Sequence, residues 1–91
     1  MNNKTRRKLM EISAQVSAYK ESIEDLKTDI EDIRNDEEEK YENLPEGLQE
    51  SEMGERLMDA YEKLDEVCDT MDSIVDELDD VVSEIHNAVS L

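Results

Sequence analysis

Apolar residues recur along this chain in alternating steps of three and four. In the first half Leu9, Ile12, Val16, Tyr19, Ile23, Leu26, Ile30 and Ile33 keep the pattern without a miss. In the second half Leu57, Tyr61, Leu64, Cys68, Met71, Val75, Leu78, Val82, Ile85 and Val89 do the same. Such spacing places every side chain of a segment on one helical seam. Pro45 and Gly47 lie between the two segments. The pattern predicts an all-α protein: an antiparallel two-helix coiled-coil hairpin, with two hairpins pairing into a four-helix bundle.

The elements follow from local signals. Helix 1 is expected over about 4–42, uninterrupted by Pro or Gly, roughly 55–60 Å long at 1.5 Å per residue. Its apolar phase fades after Ile33, where Asp36, Glu37, Glu38 and Glu39 predict a solvated, mobile end. The turn is expected over about 43–50: Pro45 removes a backbone donor and disfavours helix at Leu44. Gly47 offers backbone angles closed to other residues. Pro45 can also open one short helical turn, and Leu44 and Leu48 are placed to cap the core. Helix 2 is expected over about 51–90, with Ser51 as its cap and Glu52 and Glu55 near the positive end of its dipole. Gly54 weakens its first turn slightly. Residues 1–91 thus form a single hairpin domain.

In heptad letters, helix 1 has Leu9, Val16, Ile23 and Ile30 at a, and Ile12, Tyr19, Leu26 and Ile33 at d. Helix 2 has Tyr61, Cys68, Val75, Val82 and Val89 at a, and Leu57, Leu64, Met71, Leu78 and Ile85 at d. Position e is Arg6, Ser13, Lys20, Lys27 and Arg34 on helix 1, and Met58, Asp65, Asp72, Asp79 and His86 on helix 2. In an antiparallel pair e faces e, so the flanks are opposite in sign. Folding about Pro45–Gly47 pairs Lys27 with Asp65 and Lys20 with Asp72, which sets orientation more than stability. Helix 2 carries a further stripe at g, Ala60, Val67, Ile74, Val81 and Ala88, with Met53 in phase. The g positions of helix 1 are polar: Gln15, Ser22, Asp29 and Asp36. A narrow seam on helix 1 and a wide one on helix 2 leave the g stripe open, and this stripe is the expected dimer surface.

Charge then narrows function. There are 27 acidic and 10 basic residues, a formal charge of −17. Four of the bases, Lys4, Arg6, Arg7 and Lys8, stand at the N-terminus, and no Lys or Arg follows Lys63. Direct nucleic-acid binding is disfavoured because phosphates would be repelled; basic proteins and basic clefts are favoured. Glu62, Asp65, Glu66, Asp69, Asp72, Asp76, Glu77, Asp79, Asp80 and Glu84 cover the outward side of helix 2. Ordinary coiled coils mix signs there, whereas repeated like charges cost helix stability. Such a face has a density of negative charge comparable with a duplex backbone. The bland alternative is a solvated face that confers solubility.

Catalytic and metal motifs are absent. Two glycines cannot build a phosphate loop, no calcium loop fits, and the residue three before the single His86 is Ser83, where a di-metal bundle needs Glu. Cys68 and His86 lie five turns apart on one helix, so a Cys/His pair is not expected. Cys68 reads as a packed thiol and His86 as a surface residue at the edge of the seam. No enzyme activity and no cofactor are expected. With 3% aromatic and 41% charged residues, an elongated bundle suits the chain better than a pocketed domain. No run predicts a membrane span, and the expected location is the cytoplasm.

The stretch Tyr41-Glu42-Asn43-Leu44-Pro45-Glu46-Gly47-Leu48-Gln49-Glu50-Ser51, continuing through Gly54 and Leu57, resembles a pattern in small acidic hairpin proteins. These are encoded by phages, prophages and mobile elements of Gram-positive bacteria. The resemblance covers about a third of the chain, is carried by the turn, and transfers no functional residues. It implies a mobile-element setting, in which small acidic proteins often inhibit host nucleic-acid-binding machinery. The expected function is a non-enzymatic, DNA-mimic-like inhibitor: the acidic face of helix 2 and Asp36–Glu39 occupy a basic cleft of a host or defence protein. The alternative is a structural or adaptor coiled coil docking another helix through the g stripe. A third reading is an antitoxin-like partner of a neighbouring basic protein.

Overall fold

A computed structural model describes residues 1–91. It is all-helical: α1 spans Asn3–Glu42, α2 Glu46–Gln49 and α3 Glu52–Val89. The expected bounds hold to within about a residue. Asn2 caps α1, its Oδ1 accepting from the Thr5 N–H at 2.8 Å. Helix α1 runs through the acidic stretch to Glu42, and there Glu37, Glu38 and Tyr41 are half-buried rather than fully solvated.

The reversal is built from more than Pro45 and Gly47. Pro45 opens the single turn of α2, where the Leu48 N–H donates to the Pro45 carbonyl at 2.8 Å. Ser51 then caps α3, its Oγ accepting from the Gly54 N–H at 3.4 Å while its own hydroxyl donates to the Leu48 carbonyl. Gln49 Nε2 donates to the Tyr41 carbonyl at 3.3 Å and ties α2 to the end of α1. Leu44 is half-buried here, and Leu48 is exposed.

The two glycines exchange the roles that the sequence suggests. No residue has positive φ, and nothing lies within 4 Å of a Cβ placed on Gly47. Gly54, in contrast, is buried, and a Cβ there would sit 2.1 Å from the Gln49 carbonyl oxygen. Close approach of two backbones, not an unusual dihedral, is what the turn demands of glycine.

Two compact units result: a terminal unit of 1–25 with 71–91, and a turn unit of 26–70. In the terminal unit α1 and α3 run antiparallel. Arg6 Nε donates to the Val89 carbonyl at 3.3 Å, Ser13 Oγ lies 3.1 Å from His86 Nε2, and Lys20 Nζ lies 2.7 Å from Asp79 Oδ1. In the turn unit α1 and α3 are joined by Arg34 Nη1 and Asp65 Oδ1 at 2.9 Å, with the Arg34 guanidinium 6.0 Å from the Tyr61 ring centre.

Position e therefore faces e, but one heptad away from the expected register. Lys20 meets Asp79, not Asp72, and Asp65 is held by Arg34, not Lys27. The cross-helix pairs Arg34–Asp65, Lys20–Asp79 and Ser13–His86 are all symmetric about a point between residues 49 and 50, whereas folding about Pro45–Gly47 centres on residue 46.

The seam on α1 also differs from the expected a/d line. Leu9, Val16, Ile23 and Ile30 at a are half-buried, as are Arg6, Lys20, Lys27 and Arg34 at e, and Ser13 at e is buried. The d residues Ile12, Tyr19, Leu26 and Ile33 stay 48%, 69%, 53% and 53% exposed. Cross-helix hydrogen bonds and ion pairs turn the e edge of α1 toward α3. The small Ser13 admits close approach, and the aliphatic stems of Lys and Arg cover the seam. Helix α3 packs through a and d as expected, with Cys68 only 2% exposed.

Candidate protein-interaction surfaces

Each unit has two unlike borders along its seam. Around a helix the heptad positions run a, e, b, f, c, g, d. With e facing e on one border, d and g of both helices lie toward the other. The first border is polar, closed by Ser13–His86 and Lys20–Asp79 in the terminal unit and by Arg34–Asp65 in the turn unit.

The second border is apolar. In the terminal unit it presents Ile12 and Tyr19 of α1 and Ile74 and Val81 of α3, the latter two 39% and 40% exposed. In the turn unit it presents Leu26 and Ile33 of α1 and Met53 and Val67 of α3, the latter two 60% and 41% exposed. Ala60 and Ala88, also at g, are half-buried. The g stripe of α3 is thus open as anticipated, and the d residues of α1 widen it. The heptad letters alone hid this, because d was assigned to the core. The basic e residues of α1 were the available signal that α1 turns toward its e edge.

The acidic residues do not act as one uniform face. Asp65 and Asp79 bond to Arg34 and Lys20. Glu66 lies 3.5 Å from Lys63, and Glu37 lies 2.8 Å from Lys40. Glu38 is half-buried near Tyr61, whereas Asp36 and Glu39 are exposed. Glu62, Asp69, Asp72, Asp76, Glu77 and Asp80 are all exposed on α3. Of these, Glu62, Asp69 and Asp76 share position b, one per heptad.

The charged pairs leave a titration signature. The hydrogen bond to Asp79 raises the Lys20 pKa above 10.5, against an opposing effect of desolvation. Glu38, with burial and Asp65, raises the Tyr61 pKa above 10.0. Desolvation lowers the Arg34 pKa, but the hydrogen bond to Asp65 and the neighbouring charges more than compensate. The Glu37 hydrogen bond and charge raise the Lys40 pKa.

Two surface concavities are open grooves, one lined by Asn3, Arg6, Arg7, Met10 and Glu11 and one by Glu37, Glu52, Met53, Arg56 and Leu57. Neither groove includes Cys68 or His86. No group of three or more His, Cys, Asp or Glu side chains is arranged to hold a metal ion. No helix is long and apolar enough to cross a membrane. Comparison with protein families, curated proteins and solved structures finds no match to this chain.

Proposed function

We propose that this chain is a non-enzymatic, cytoplasmic protein-binding module whose acidic α3 surface occupies a basic, nucleic-acid-binding cleft of another protein. Two hairpins associate through their apolar borders into a four-helix bundle. The observation that carries the reading is the exposed carboxylate series of α3, on a helix without Lys or Arg beyond Lys63. Like charges at three- and four-residue spacing destabilise a helix, and a cationic partner offsets that cost. The turn motif supports a phage or mobile-element inhibitor as the biological setting. The test is capture of bacterial lysate proteins on the tagged chain, with elution by duplex DNA. A nucleic-acid-binding protein should be eluted, and joint replacement of Asp69, Asp72, Asp76 and Asp80 by Lys should abolish its capture while helix content persists. Capture that survives charge reversal sinks the electrostatic reading.

A second reading is favoured by the apolar borders: an adaptor that docks a helix of another protein. In that case charge reversal is harmless, and Val67→Asp with Ile74→Asp removes the partner.

A further inference from the structure

We propose that the apolar border of the turn unit docks an amphipathic helix of another protein, one that edges its apolar face with Lys or Arg. The proposal rests on the adaptor reading above, in which the border is free for another protein, and it names that partner's chemistry. It involves residues 26–70 alone.

Shape comes first. Leu26 and Ile33 of α1 and Met53 and Val67 of α3 stay exposed on the side of the seam opposite the Arg34–Asp65 pair. Ala60 lies between Met53 and Val67 at the same heptad position and is half-buried. A small residue between two larger ones leaves a trough that a third helix can enter, ridge into groove. Toward the turn the trough meets the open concavity lined by Glu37, Glu52, Met53, Arg56 and Leu57. Its apolar members, Met53 and the half-buried Leu57, offer a seat for one anchoring side chain of the incoming helix.

Charge then selects the occupant. Asp29, Asp32, Asp36 and Glu39 step by three, four and three along α1, at the g and c positions that flank Leu26 and Ile33. All four are exposed, and none is held in an ion pair. The bases nearest the border are already matched: Lys40 with Glu37 at 2.8 Å, Arg56 with Glu52 at 2.6 Å and Lys63 with Glu66 at 3.5 Å. The unit as a whole has 17 acidic and 5 basic residues, a net charge of −12. An apolar trough edged by an unmatched carboxylate row repels an acidic helix and attracts a cationic one. Flanking charges select partners in coiled coils in the same way.

The experiment titrates three labelled model peptides, held at trace concentration, with the full chain and follows fluorescence anisotropy at about 0.15 M salt. Each peptide is an amphipathic helix three heptads long, with Leu at a and d and only Lys, only Gln or only Glu at e and g. The Lys peptide should bind at least tenfold more tightly than the Gln peptide, and the Glu peptide least. Ile33→Asp with Val67→Asp alters only exposed positions and should abolish binding, with helix content verified by circular dichroism. Joint Asp29→Asn, Asp32→Asn, Asp36→Asn and Glu39→Gln should weaken the Lys peptide at least tenfold. Removing the same charge through Asp76→Asn, Glu77→Gln, Asp80→Asn and Glu84→Gln should matter far less, and an equal effect overturns the role of the α1 row. Equal binding of the Lys and Gln peptides overturns the cationic partner and keeps the adaptor reading. Absence of binding by all three overturns docking at this border, and the adaptor reading with it. Lys-peptide binding that survives Ile33→Asp with Val67→Asp is charge attraction alone and overturns the groove. A native chain that sediments as a dimer, and as a monomer once Ile33→Asp is introduced, has a second copy on the border, which overturns the proposal.

Discussion

A methyl group at residue 54 has nowhere to go. It would fall 2.1 Å from the Gln49 carbonyl, a backbone atom that cannot swing aside. Gly54→Ala should therefore cost about 1–3 kcal/mol, the usual range for overpacking, measured by urea denaturation. Gly47→Ala meets open space in α2. It should be neutral or stabilising by about 0.5 kcal/mol, because alanine loses less chain entropy. Equal losses at both positions would refute the close-approach explanation. Titration offers a further check. Lys20 and Tyr61 both have folded-state pKa values raised above 10.5 and 10.0. Groups with raised values contribute stability that is whole below the unfolded value and lost as pH climbs through the folded one. Melting temperature should thus fall in the alkaline range above about pH 10, and Tyr61→Phe should lessen the fall. A flat profile for the native chain would contradict both shifts.

At the scale of elements, the register is set by pairs that cross the seam. Lys20→Glu places two acids together and should lower the melting temperature; adding Asp79→Lys should restore most of the loss. Failure of the double variant to recover would mean that Lys20 serves through its aliphatic stem alone. Helix limits, capping by Ser51 and the e-to-e arrangement were legible because each depends on residues close in sequence or on strict periodicity. The heptad was not, because slipping by seven residues preserves every apolar match. The charges did hold the answer. The slipped register leaves Arg34 facing Met58 and Ser13 facing Asp79, whereas the observed one gives Arg34 an acid and Ser13 the imidazole of His86. The exposure of Ile12, Tyr19, Leu26 and Ile33 was hidden for a different reason. Rotation of a helix about its own axis responds to neighbours on the other chain segment, which a seam drawn from one segment omits. For the acidic surface, composition revealed the carboxylates but not which of them, such as Asp65 and Asp79, are engaged by α1.

The whole molecule carries −17 and has an isoelectric point near 4.1. Self-repulsion at that charge opposes compaction and association alike. Added salt should raise the melting temperature by screening that repulsion; calorimetry at several ionic strengths checks this. A melting temperature that drops with salt would mean that the exposed ion pairs outweigh the repulsion. The close fit of Gly54 against the Gln49 carbonyl also bears on topology. If that joint opened, α1 and α3 could separate and each could pair with the opposite helix of a neighbouring chain, making identical seam contacts in an exchanged dimer. A bulkier side chain at position 54 is thus expected to shift the population toward helix-exchanged molecules, read as a change in mass by size-exclusion chromatography.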